Sequence, residues 1–138
     1  MSAKKQIQDL SKEFLPKIID IRRNLHSNPE LSFQEFETSK YIKSILADWG
    51  IPFQEHIANT GIVVVLKGKN PEKSCTALRA DFDALPIQEE NEVEYCSKNN
   101  GVMHACGHDA HTASLLGALK ILHTLKSDLE GSIKFIFQ

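Results

Sequence analysis

The sequence predicts an α/β domain with a mixed, partly parallel sheet flanked by helices. Three observations predict it. Runs of apolar residues at helical spacing alternate along the chain with short β-branched runs. The stretch from Cys75 to Gln138 reads strand, helix, strand, with the length of a βαβ crossover, whose strands are parallel. The 138 residues are 41% hydrophobic and 25% charged, an ordinary balance for one globular domain with a core.

The first element is a helix over 4–27. Ile7, Leu10, Phe14, Ile18, Ile21 and Leu25 step by three or four and form one apolar stripe. Pro16 lies inside it and predicts a kink, or a short helix followed by a longer one. Asn28-Pro29 ends it, because the residue before a proline is pushed out of the α region. A second helix starts near Ser32, which has the capping-box spacing to Glu35, and ends at Gly50. Phe53–Ile57 is a weak strand. Ile62–Leu66 is a strong one, bounded by Gly61 and Gly68. Cys75–Phe82 is the third strand, with Cys75 as an apolar filler. A polar loop from Gln88 to Gly101 leads to a helix over 109–125, whose buried side carries Leu115, Leu116, Leu119, Ile121 and Leu122. The last strand, 131–138, alternates Ile133, Phe135 and Phe137 against Lys134, Ile136 and Gln138.

Charge excludes some functions. Sixteen basic and eighteen acidic residues give a net charge of −2, unlike a protein that coats nucleic acid or an anionic membrane. No apolar run approaches the ~18 residues of a membrane span. Three cysteines do not form a disulfide framework. With no apolar signal segment at the N-terminus, the expected location is cytoplasmic. The last strand would end at Gln138, where the ligand crevice of an α/β sheet lies. The expectation is therefore a piece of a larger domain.

The chemistry concentrates in Met103-His-Ala-Cys-Gly-His-Asp-Ala-His111, which holds three His, one Cys and one Asp in nine residues. Thiolate and imidazole are good ligands for Zn²⁺ and similar ions, and Gly107 lets Cys106 and His108 converge. Cys106 and His108 are the candidate metal ligands. His104 and His111 are candidates for orienting them or touching substrate, and Asp109 fits a helix N-cap. His56 and His123 read as surface, and Cys96 lies in a polar loop without a partner in view. In Arg79-Ala-Asp-Phe-Asp-Ala-Leu-Pro86, Asp81 and Asp83 sit two apart at a strand end, where both reach the crevice. An Asp beside a metal-ligating His is expected to accept its other N–H.

These stretches, with Arg22-Arg-Asn-Leu-His-Ser-Asn-Pro-Glu-Leu31, resemble the N-terminal part of the M20 metallopeptidase and amidohydrolase family. The most similar subgroup holds hippurate hydrolases, N-acyl-amino-acid amidohydrolases and auxin-conjugate hydrolases. The resemblance implies a zinc-aminopeptidase-like catalytic domain, of which residues 1–138 are the N-terminal portion. It also implies two divalent metal ions per complete subunit (Zn, Mn, Co or Ni) and hydrolysis of the amide bond of an N-acyl amino acid or peptide. A lid domain outside this chain would carry dimer contacts. By position, Cys106 and His108 match metal ligands, and Asp81 matches the catalytic Asp. Arg79 stands where many members have a metal-binding His, and Asp83 lies past the matching position. The family's general-base Glu and its later ligands follow the strand at 131–138, so these residues alone are expected to be inactive. Two rival readings are a Cys106 nucleophile with His108 or His104 as base, which predicts alkylation-sensitive, chelator-resistant activity, and a non-enzymatic metal-binding or interaction module.

Overall fold

The structure is a computed structural model and describes residues 2–138. Its elements are α1 (Ala3–Ser27), α2 (Phe36–Asp48), β1 (Gln54–Ile57), β2 (Gly61–Lys67), β3 (Cys75–Ala80), α3 (His108–Thr124) and β4 (Ser132–Phe137). A single 3₁₀ turn, Lys126–Asp128, joins α3 to β4. No helix among the described residues is long and apolar enough to cross a membrane.

The four strands lie in the order β1-β2-β4-β3. β1 and β2 are antiparallel, as are β2 and β4, while β3 and β4 are parallel with α3 as the crossover. The sheet is thus mixed, with the parallel pair at the predicted place. In β2 and β4 the register pairs Ile62 with Phe137, Val64 with Phe135 and Leu66 with Ile133. Ile62, Val64, Phe135 and Phe137 are almost fully buried, so this is the core face. It packs with Ile21 and Leu25 of α1, Ile42 and Leu46 of α2, and Leu116 and Leu119 of α3. Lys134 and Val65 are exposed on the other face.

Four details correct the expectations. First, α1 runs unbroken through Pro16. Pro16 is on the solvent side, where water can satisfy the carbonyl that the missing N–H leaves free. Second, the Ser32/Glu35 capping box does not form. The carboxylate of Glu30 caps α2 instead, accepting from the N–H groups of Glu37 (3.2 Å) and Thr38 (2.7 Å). Gly50 does end α2: its φ is +66°, and the N–H of Ile51 reaches Leu46 O at 2.9 Å. Third, Cys75 is exposed, because it lies with Ala77 and Arg79 on the outward side of an edge strand. Fourth, the apolar stripe of α1 is buried only toward its C-terminal end, at Ile21 and Leu25. Ile7 remains 40% exposed.

The fold brings the three chemical stretches together through the backbone. Ala84 N–H donates to Glu30 O at 2.8 Å, tying the loop after β3 to the end of α1. Leu85 and Met103 exchange both N–H···O bonds at 3.0 Å, tying the same loop to the segment before α3.

Candidate metal centre

The site lies beyond the carboxyl ends of β3 and β4, at the N-terminus of α3. β3 stops at Ala80, and Phe82 stays fully buried. Alternation about Phe82 turns Asp81 and Asp83 outward together. Gly107, at φ +85°, makes the left-handed turn that starts α3, and His108 is the first helical residue. Thr112 Oγ1 donates to Asp81 O at 2.8 Å, which fastens the first turn of α3 to the strand end.

His108 is held from behind. Its Nδ1 lies 2.8 Å from Asp83 Oδ1 and 3.0 Å from Asp83 O. Both are acceptors, so Nδ1 carries the proton and Nε2 presents its lone pair. That lone pair faces a carboxylate, Asp81 Oδ2 at 3.5 Å. Asp81 Oδ1 lies 2.9 Å from His111 Nδ1, and the His108 and His111 rings stack at 5.5 Å. Asp81, His108 and His111 offer ligand atoms within 4.8 Å of one another. A lone pair, a carboxylate and a second imidazole converging at this spacing fit a divalent cation, which reconciles groups that would otherwise repel.

The carboxylates are biased toward ionisation. Burial raises Asp83, but hydrogen bonds from Ser32 and His108 outweigh it and hold it below the usual carboxylate value. Burial raises Asp81 too, but the His111 hydrogen bond and the Arg79 guanidinium help to outweigh it and hold it below the usual carboxylate value.

Each expected residue now has a place. Asp81, Asp83 and His108 meet as expected, but the partner of His108 Nδ1 is Asp83 and not Asp81. The register of the loop places Asp83 behind the ring and Asp81 in front of it, beside His111. His111 is more central than its sequence position suggested. Cys106 is exposed, two residues before His108, and is not among the three converging groups. No hydrogen bond joins Cys106 to His104, and His108 Nδ1 is taken by Asp83, so the nucleophile–base pairing finds no support among the described residues. His104 is 4% exposed with both ring nitrogens unpartnered. Burial, only partly opposed by Asp109, pushes its pKa down to about 4. Asp109 does not cap α3. It is fully buried and meets Arg22 Nε at 2.8 Å and His26 Nδ1 at 2.7 Å.

Sequence reasoning gave no role to Arg22, His26 or Glu89. His26 joins Asp109 to Glu89 Oε1, 3.0 Å from its Nε2. The available signal was the i,i+4 spacing of Arg22 and His26 on a helix whose Ile21 and Leu25 are core residues. An open groove of about 400 Å³ between α1 and α3 is lined by Ile7, Phe14, Ile18 and Ile121 among others and has no titratable group in its lining. A smaller cleft of about 150 Å³, lined by Ser32, Phe33, Thr60, Arg79, Asp83 and Gln138, adjoins the chemistry.

Known proteins resemble this chain over nearly its whole length. Peptidase family M20/M25/M40 matches residues 77–138. The chain is 47% identical to an N-acyl-L-amino acid amidohydrolase of Geobacillus stearothermophilus, over 98% of its own length and 36% of the relative's. The chain belongs to the M20 family. Another relative, the IAA-amino acid hydrolase ILR1-like 5 of Arabidopsis thaliana, is 47% identical over 91% of the chain and 28% of the relative. Among solved structures, the YXEP protein of Bacillus subtilis, described as a dinuclear metal-binding peptidase of the M20 family, superposes with a TM-score of 0.85. It is 45% identical and is covered over 92% of this chain and 36% of that one. The chain therefore spans about a third of the length of the M20 relatives it matches.

Proposed function

We propose that the full-length protein is a metal-dependent hydrolase that cleaves the amide bond of N-acyl amino acids. One observation carries the reading: His108 is locked by Asp83 so that Nε2 points at Asp81 and His111 in an open cleft. The names of the relatives, an N-acyl-L-amino acid amidohydrolase and an IAA-amino acid hydrolase, support the substrate class. The dinuclear structural relative supports two ions per complete subunit, with Zn²⁺, Mn²⁺, Co²⁺ or Ni²⁺ all compatible with imidazole and carboxylate ligands.

Residues 1–138 form the N-terminal portion of the catalytic domain in this reading. His108 Nε2 holds metal with Asp81 and His111 on the wet side of the centre, and Cys106, outside those converging groups, is the further ligand that the family resemblance adds. The bound ions would supply a more acidic water and polarisation of the scissile carbonyl. Asp83 fixes the tautomer and direction of His108, and Ser32 holds the other oxygen of Asp83 at 2.7 Å. In this reading the orienting part falls to Asp83, which contacts His108 Nδ1, and Asp81 faces Nε2 on the metal side. The family resemblance places the general-base Glu after the strand at 131–138, so the 138-residue chain is expected to be inactive by itself. Homodimer contacts belong to the remaining part of the protein.

The test is release of free amino acid from N-acetyl and N-benzoyl amino acids by the purified full-length protein. Activity that a chelator removes and a divalent ion restores supports the reading. Chelator-resistant turnover lost on thiol alkylation would replace it with a Cys106 nucleophile.

A further inference from the structure

We propose that Arg22 and His26, at the C-terminal end of α1, are positioning residues of the metal centre and act on His108 through Asp109. This inference rests on the reading of His108 as a metal ligand. Neither residue touches the converging Asp81, His108 and His111 groups. Both touch Asp109, the residue after His108: Arg22 Nε at 2.8 Å and His26 Nδ1 at 2.7 Å, on the same oxygen, Oδ2. Asp109 is fully buried and His26 is 4% exposed, so the His26 contact is shielded from water, while Arg22 reaches the same oxygen from a side chain that is 33% exposed.

The first turn of α3 needs such a tie. It begins at Gly107 in the left-handed region, with no heavy atom within 4 Å of where a Cβ would stand, and no side chain caps it. Glycine in open space lets the turn pivot. Two side-chain contacts oppose that pivot from different sides. Thr112 Oγ1 holds the turn to the end of β3, and Asp109 holds it to α1. His108 lies between them and can keep its 2.8 Å contact to Asp83 Oδ1 only while the turn stays in place.

The anchor is itself braced. Glu89 Oε1 takes His26 Nε2 at 3.0 Å, and Glu89 Oε2 accepts from Ser97 N–H at 2.6 Å. His26 therefore spans two carboxylates, one on each ring nitrogen. Buried ion pairs of this kind add little net stability over a well-packed apolar replacement, yet removing one partner strands the other, so the contacts resist being broken. The network has the composition of a device that sets the position of α3 rather than one that adds core.

The two ring nitrogens allow a test that separates positioning from mere stability. An asparagine at 26 places its amide near the position of Nδ1 and keeps a donor for Asp109. A glutamine places its amide near Nε2 and keeps the contact to Glu89. Zn²⁺ affinity of the metal-stripped full-length protein, by competition with a chromophoric chelator, is compared for wild type, His26→Gln and His26→Asn, alongside kcat, KM and Tm. The expected result is that His26→Gln weakens Zn²⁺ binding by about 10–100-fold and lowers kcat with little change in KM, while His26→Asn stays close to wild type. Arg22→Gln should behave like His26→Gln, and His56→Ala, on the exposed surface, should match wild type. Wild-type Zn²⁺ affinity in both His26 variants would overturn the proposal, as would losses that follow Tm equally in both. The affinity comparison holds whether or not the wild type hydrolyses an N-acyl amino acid, so failure of the substrate reading and failure of the positioning role are told apart.

Discussion

The two flanks of His108 are built from the same residue types and behave differently. On the wet flank, Asp81 and His111 meet at 2.9 Å, and His111 is exposed. On the dry flank, Asp109 and His26 meet at 2.7 Å with neither more than 4% exposed. On the wet flank an Asp–His contact can open at little cost and release lone pairs to an incoming ion. On the dry flank the same contact cannot be broken without stranding a charge. The comparison teaches that His–carboxylate pairing does not by itself mark a ligand set. Exposure separates the pair that can exchange its partner from the pair that holds the frame.

The largest effect should come from breaking the dry flank. Asp109→Ala would leave Arg22 and His26 facing an empty buried position, and losing one partner of such a network costs about 3–5 kcal/mol. Urea unfolding of the full-length variant checks this. Asp81→Ala should stay within about 1 kcal/mol of wild type in the same assay, since its contacts are partly exposed. Equal losses for both would erase the distinction between flanks.

Next comes the carboxylate behind the ring. Asp83→Asn weakens the acceptor that fixes His108, and losing such a partner lowers activity by about 10–100-fold. Asp81→Asn should lower it less at saturating metal. Steady-state kcat for the two variants decides between them, and the reverse order would return the catalytic assignment to Asp81. Cys106→Ser should lose metal occupancy and most of kcat, whereas Cys75→Ser and Cys96→Ser should keep both, as read by metal analysis of the purified proteins.

The smallest effect concerns pH. Burial raises Glu89, but hydrogen bonds from Asn91, His26 and Ser97 outweigh it and hold its pKa at about 2. Its folded value is below the unfolded one, so its stabilising contribution is fully present above the ordinary carboxylate value. That contribution is lost as pH falls from about 4.5 toward 2. Glu89→Gln should therefore show a shallower loss of stability across that window than wild type, measured by denaturant titration at successive pH values.

Much of this was legible in the sequence, because the governing patterns are local. The period-2 alternation of Ile133, Phe135 and Phe137 and the β-branched run at Ile62–Leu66 gave the core faces of β4 and β2. The spacing of strand, helix and strand gave the parallel β3–β4 pair. The density of His and Cys after Met103 gave the neighbourhood of the centre. What was not legible depends on contacts far apart in the chain. Asp109 looked like a cap because local spacing is silent about Arg22 and His26, 87 and 83 residues earlier. Ser32 looked like a cap for α2 until Asp83 claimed its hydroxyl, leaving Glu30 to satisfy the helix end. Asp81 and Asp83 differ only in which lies behind the His108 ring, and two residues of register cannot be read from spacing alone.

The central claim is that His108 holds a divalent ion through Nε2 while Asp83 holds Nδ1. The most direct test is zinc-edge anomalous diffraction from crystals of the full-length protein grown with Zn²⁺. The account predicts a peak about 2.0–2.1 Å from His108 Nε2 and about 2.3 Å from Cys106 Sγ, with the Asp83 contact to Nδ1 retained. A fully loaded crystal with no peak within bonding distance of His108, or with the ion on Nδ1 and Asp83 displaced, would contradict it.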